Sequence, residues 1–403
     1  MKTRTTLLNA TLILLACAAF TSPVLAVCAD KDSPLAALIK DGNDDGKRTP
    51  LILIHGIHGT SEKDAVDKKG DKWDEFEKVF DKKENGLSQR YSLYFFQYCS
   101  DREPVLVIAT RLRDLIDGKL ADREHAFLAH SMGGQIAVSY MAETEHQFGQ
   151  WKGKSGGQTT LGLITLGTPH HGTPGANDPA TMAPFIPDKL EGVYSAIQGV
   201  YWRNNEDPAE PNRSDLRWDN YDGKLPVDSK DINTTLAERN KLFLEHASKL
   251  IAYAGTTPAK LGPLEIASML IELRRSRDDK PTTQHRLLGF ANAGMVTALG
   301  KEFGDADGFV PRVSALFCQP EPEKAGTESR SNYVCMSTSK VRRFEPGGMG
   351  VEVPASQLPD ANTLSIYRSP GGFDHLDMLT NPEVFRYATK DLIAMAPVRQ
   401  VKP

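Results

Sequence analysis

The segment Ala129-His130-Ser131-Met132-Gly133-Gly134 restricts the folds open to this chain more than any other stretch, because it closes an apolar run and begins a helical pattern. A strand that turns this sharply into a helix holds the turn residue in strained backbone and lifts its side chain clear of the sheet. Such a turn needs small neighbours, and Ala129 and Gly133 are small. Ala129 stands where the pattern G-x-S-x-G has its first glycine, and one methyl group still suits the turn. A serine hydroxyl is a weak nucleophile at its own pKa, so it works only beside a base and near backbone donors. Here the N–H of Met132, at the start of the helix, would face a developing oxyanion. A pentapeptide of this kind also occurs at ordinary helix starts. The rest of the chain has to decide.

Residues 50–55 form a continuous apolar run bounded by proline and glycine, the pattern of a strand buried on both faces. Residues 91–98, 125–129, 161–166 and 250–254 repeat it, and helical patterns at 73–80, 105–115 and 135–148 lie between them. This alternation predicts an α/β fold with a mostly parallel sheet covered by helices. It breaks at residues 176–249, where an apolar stretch (182–202) precedes a polar one marked by Trp218 and Tyr221, and a helical insertion follows at 261–299. Insertions at the carboxyl ends of the strands sit over the site of such folds, so both are candidate lid or cap segments. The plainer alternative is packing without a gating role. No internal repeat or long low-complexity tract is present.

The first 26 residues carry Lys2 and Arg4, an apolar stretch at 7–20, and Val24-Leu25-Ala26, which suits signal-peptide cleavage after Ala26. The expected product is an exported chain, residues 27–403, forming one catalytic domain with the two insertions. No later segment approaches the ~18 consecutive apolar residues of a membrane helix. A rival reading takes Leu14-Leu15-Ala16-Cys17 as a lipoprotein site with Cys17 lipidated. Past the leader stand Cys28, Cys99, Cys318 and Cys335, and in an oxidising compartment these predict one or two disulfides. Cys318 and Cys335 flank a polar loop and form the first candidate pair, with Cys28 and Cys99 remaining; the sequence leaves all three pairings open. The formal charge of −4 comes from interspersed acids and bases and gives no nucleic-acid footprint. No cysteine–histidine spacing points to zinc, and no glycine-rich loop looks built for phosphate.

Five blocks now stand in order: His55-Gly56-Ile57-His58-Gly59, the Ser131 segment, Gly167-Thr168-Pro169-His170-His171-Gly172, Asp307-Gly308-Phe309-Val310-Pro311, and Asp374-His375-Leu376-Asp377. In that order they resemble bacterial lipases and esterases of the α/β-hydrolase superfamily. The resemblance spans residues 50–380 but is confined to the blocks. It implies an α/β-hydrolase fold, a catalytic triad of Ser131, Asp307 and His375, and an oxyanion hole made by the N–H groups of Ile57 and Met132. Asp305 is the nearby competitor of Asp307. Of the ten histidines, His55 reads as structural, His58 as lining the pocket and His170 and His171 as shaping its floor, while His130 is expected to point away from the reacting face. The resemblance also implies a structural calcium with Asp377 among its ligands, a position at which a lone aspartate is otherwise a helix cap. No other cofactor is implied. A dedicated folding partner is open, since nothing in the sequence identifies one.

The expectation is an exported serine carboxylic-ester hydrolase, most like a triacylglycerol lipase or lipid esterase. Phospholipase, polyester depolymerase and acyltransferase are alternatives on the same triad. A non-catalytic binding module on this fold is the alternative from a different class.

Overall fold

Successive residues of a strand point to opposite faces, so a strand apolar throughout needs cover on both sides. The computed structural model contains such a sheet and describes residues 36–57 without 43 and 45, 71–100, 103–177 without 121, 214–219, 232–255, 306–320, 333–335, 341–344, 350–353 and 374–396. The expected leader, Cys17, Cys28, His58, the apolar stretch 182–202, the insertion 261–299 and Asp305 lie outside the described residues.

The strands in chain order are β1 (Ala36–Lys40), β2 (Thr49–Ile54), β3 (Tyr91–Tyr98), β4 (His125–His130), β5 (Thr160–Leu166), β6 (Leu250–Ala254), β7 (Cys318–Pro320), β8 (Tyr333–Cys335), β9 (Val341–Phe344) and β10 (Gly350–Val353). Eight of them form one sheet in the order β1-β3-β2-β4-β5-β6-β9-β10, and β7 pairs with β8 apart from it. From β3 across to β9 every pairing is parallel; β1 on β3 and β10 on β9 are antiparallel. The central strands divide their side chains between two cores. Ile52, Ile54, Phe127, Ala129 and Leu163 enter one, and Leu51, Leu53, Ala126, Leu128 and Ile164 enter the other.

Helices close both faces. Val105–Lys119 and Met132–Glu143 bury Val105, Ile108, Leu112, Ile116, Met132 and Ile136 in the first core. Asp74–Phe80 and Pro382–Met395 bury Phe76, Phe80, Val384, Phe385 and Leu392 in the second, with the rings of Phe76 and Phe385 edge to face at 5.4 Å. This layering, with a strand-to-helix turn at the end of β4 carrying Ser131, is the α/β-hydrolase fold. No helix among the described residues is long and apolar enough to cross a membrane.

One local expectation changes, and part of another segment gains detail. The helix expected at 135–148 runs Met132–Glu143, because Thr144 turns extended and Glu145 bridges to Ser155. Within the insertion expected at 176–249, residues 234–249 form a helix and a 3-10 turn, the helix packed on the one that follows Ser131. Asn233 caps that helix through a bond from Leu236 N at 3.0 Å, Arg239 Nε donates to Glu143 at 2.7 Å, and Phe243 joins the first core.

Cys99, one residue past β3, is disulfide-bonded, and its partner lies outside the side chains described. The β7–β8 register sets the backbones of Cys318 and Cys335 directly opposite each other. Opposed residues of an antiparallel pair have Cα atoms about 4.5–5.5 Å apart, within the range a disulfide bridges.

Candidate active site

The carboxyl ends of the central strands are level. Ile54 pairs with Ala129, His130 with Leu166 and Leu166 with Tyr253, so the segments leaving β2, β4 and β5 emerge side by side. Ser131 leaves β4 with φ 54° and ψ −129°, a backbone state that a residue with a side chain adopts at a cost of about 1–3 kcal/mol. Its surroundings enforce it. Ser131 N donates to Leu166 O at 2.9 Å, and a side chain on Gly133 would lie 2.3 Å from the His55 carbonyl oxygen. A Cβ on Gly56 would lie 2.6 Å from Ser131 Cβ, so the loop after β2 runs directly against Ser131. Ala129, in place of the usual glycine, is wholly buried in the first core.

Asp307 sits in a turn closed by the Ala306–Pro311 bridge, and both its oxygens are committed. Oδ1 accepts from Phe309 N at 3.0 Å and Val310 N at 2.8 Å, which leaves Oδ2 aimed at His375 Nδ1, 2.7 Å away. His375 N donates to Asp307 O at 2.9 Å, so backbone and side chain make a double link between two buried residues. A carboxylate oxygen can only accept, so Nδ1 of His375 carries the proton and Nε2 presents the lone pair. A Cβ on Gly167 would lie 2.8 Å from Asp307 Oδ2 and 3.2 Å from His375 Nδ1, and the bare backbone after β5 therefore supports the pair from below. Phe309 meets the His375 ring edge-on at 5.4 Å. Ser131 and His375 are not hydrogen-bonded to each other; a bond between a serine and a histidine base is often long until a substrate is present.

Ile57, three residues past β2, packs partly buried against the first core, and Met132 opens the helix whose N-terminal dipole favours negative charge. The loop carrying Ile57 is braced by His55, whose Nδ1 bonds the Gly56 carbonyl at 2.8 Å. The structure thus brings Ser131, Met132, Asp307, His375 and the Ile57 loop to one end of the sheet.

His130, expected to point away, is instead turned toward His375: its Nε2 lies 3.0 Å from the His375 carbonyl oxygen and the two rings are 4.6 Å apart. A ring this close to the His375 backbone follows from Asp307 drawing the His375 loop over the end of β4, which the sequence order alone does not reveal. His170 is buried against Thr165 Oγ1 at 3.1 Å, and burial pulls its pKa down to about 3. His171 Nδ1 bonds Asp219 Oδ2 at 2.8 Å, both side chains almost wholly enclosed. Asp219 and Tyr98, which holds the His55 carbonyl, escaped the sequence reading; neither lies in a motif.

Asp377 Oδ2 accepts from Asp374 N at 3.0 Å while Asp374 Oδ1 accepts from Leu376 N and Asp377 N, so the two carboxylates cap the turn that presents His375. Among the described residues no group of three histidine, cysteine or acidic side chains could hold a metal ion. Calcium takes about six to eight oxygens, and the described donors around Asp377 do not compose such a set.

No family model matches this chain, and no curated protein matches it. Among solved structures it is similar to EstA from Clostridium botulinum, at 15% identity over 93% of this chain and 92% of that one with a TM-score of 0.37. A mature-form lipase from Bacillus licheniformis matches at 16% identity over 69% of this chain and 84% of its own, with a TM-score of 0.34. A phospholipase from Legionella pneumophila matches at 12% identity over 85% of this chain and 60% of its own, with a TM-score of 0.40.

Proposed function

We propose that the chain is an exported serine carboxylic-ester hydrolase, a triacylglycerol lipase or lipid esterase, working through Ser131, His375 and Asp307. The observation that carries this reading is the 2.7 Å bond from His375 Nδ1 to Asp307 Oδ2, set beside a serine in strained elbow backbone. In the reaction His375 Nε2 takes the proton of Ser131 as Oγ attacks the ester carbonyl. Asp307 keeps the imidazole in the required tautomer and stabilises the imidazolium. The N–H groups of Ile57 and Met132 receive the oxyanion; fixed donors of this sort are each worth about 10²–10³ in rate. His375 then protonates the leaving alcohol, and water, activated by the same base, releases the acid. The four cysteines past the leader suit export.

Intact-mass analysis after treatment with a fluorophosphonate tests the reading, alongside Ser131→Ala and assays on a short-chain and a long-chain acyl ester. One adduct, absent in Ser131→Ala, with hydrolysis of either ester, is the expected result. A folded protein that takes up no probe, with detergent present, overturns it and favours a binding module.

A further inference from the structure

We infer that His130 is a positioning residue for the base: it holds the backbone of His375 in register with the neighbouring nucleophile. The inference rests on the proposed reading of Ser131 and His375. His375 stands in a turn, and something must hold it within reach of Ser131. Three hydrogen bonds do. Two run to Asp307, from His375 N and Nδ1, and the third comes from His130 to the His375 carbonyl. Asp307 alone would leave the loop able to pivot about that side. The bond from His130 closes the opposite side, and it originates in the residue covalently joined to Ser131. Nucleophile and base are thereby referred to one rigid point, the end of β4, whose last residue, His130, pairs with Leu166 of β5.

A carbonyl can only accept, so His130 must carry its proton on Nε2. Nδ1 then faces the Gly56 backbone, since a Cβ on Gly56 would lie 3.2 Å from it. His130 stays neutral, because burial and then the neighbouring His375 hold it well below the usual histidine range. A neutral ring at 4.6 Å does not repel the imidazolium that forms on His375 during the reaction. A cation there would oppose it. An apolar residue would pack as well but would release the carbonyl.

The test compares His130→Gln, which keeps a donor, with His130→Met, which is close in size and has none, and with His130→Phe, which keeps a ring. The readouts are kcat and KM on a soluble ester, the rate of fluorophosphonate labelling, and the folded fraction by circular dichroism. Misplacement of a catalytic group by about 1 Å costs on the order of 10²-fold, so His130→Met and His130→Phe are expected to lose about that factor in kcat and in labelling rate per folded molecule. KM should hold, and His130→Gln should recover most of the loss. Equal losses in Gln and Met, full activity in Phe, or unfolding of all three would overturn the inference and leave His130 structural or idle. An unreactive wild type is a different result: it overturns the hydrolase reading, and this inference with it.

Discussion

Tyr98 lies flat on His55, the ring centroids 4.1 Å apart and the planes parallel, and its hydroxyl donates to the His55 carbonyl. With His55 Nδ1 bound to the Gly56 carbonyl, the loop between β2 and Ile57 is held from the end of β3, one residue before the disulfide-bonded Cys99. In the proposed reaction the N–H of Ile57 receives the oxyanion, and a donor of that kind needs bracing because a movable N–H must be reoriented.

Tyr98→Phe keeps the stack and removes the bond. It is expected to lower kcat about tenfold with KM unchanged, and to lower unfolding free energy by about 0.5–1.5 kcal/mol, the net worth of one hydrogen bond. Ester kinetics beside urea unfolding checks both. Loss of stability with kcat intact would make Tyr98 scaffold alone.

Gly133→Ala sets a methyl group against two backbone carbonyls, His55 O at 2.3 Å and Ile54 O at 2.5 Å, which no rotamer relieves. Forced packing of this kind costs about 1–3 kcal/mol, and because the displaced strand end carries Ser131 and the Ile57 loop, probe labelling should vanish too. Gly118→Ala is the control, since nothing lies within 4 Å of its added Cβ on the exposed side of a helix. That change is expected to stabilise by about 0.4–1 kcal/mol. If both variants behave alike in thermal unfolding, close approach is not what keeps glycine at 133.

The central sheet was readable because its strands are buried on both faces and are therefore mostly apolar; β3 and β6 fall on the residues expected. The sheet margins were not. β1 and β10 are four or five residues long and mix apolar with charged side chains, which a surface loop does equally well. Residues of the site were legible where the backbone itself needs a special residue, as at Ser131 and Gly133. They were hidden where the requirement is a partner far off in sequence: Asp219 meets His171 across 48 positions, and His130 meets His375 across 245.

The His171–Asp219 pair tethers residues 214–219 to the loop after β5, together with bonds from Thr173 N to Leu216 O and from Asp219 N to His171 O. Asp219→Ala strands a buried imidazole N–H, and leaving such a group unpaired costs about 1–3 kcal/mol. Asp219→Asn, which still presents an acceptor, should cost less. A double-mutant cycle with His171→Ala should return a coupling of about 0.5–3 kcal/mol; additive losses would mean the two side chains do not support one another.

Acid sensitivity should come largely from histidines buried in the neutral form. Burial lowers the pKa of His125 to about 3, its Nε2 facing Tyr140 Oη at 3.0 Å and its Nδ1 facing the Arg123 carbonyl, and burial does the same to His170. For such a group the folded value lies below the unfolded one of about 6.5, so the unfolded chain binds a proton that the native chain refuses. Stability is then unaffected by it above pH 6.5 and falls as pH drops from there toward 3, by roughly 1.4 kcal/mol per pH unit for each histidine once well below 6.5. His125→Gln removes one such proton, whatever it does to stability at pH 7. Urea unfolding at pH 7, 6 and 5 should therefore show a shallower fall in the variant than in the wild type, by approaching one proton's worth between pH 6 and 5. Parallel curves would mean that His125 takes up its proton in the native protein, and that Tyr140 and the Arg123 carbonyl accommodate the cation.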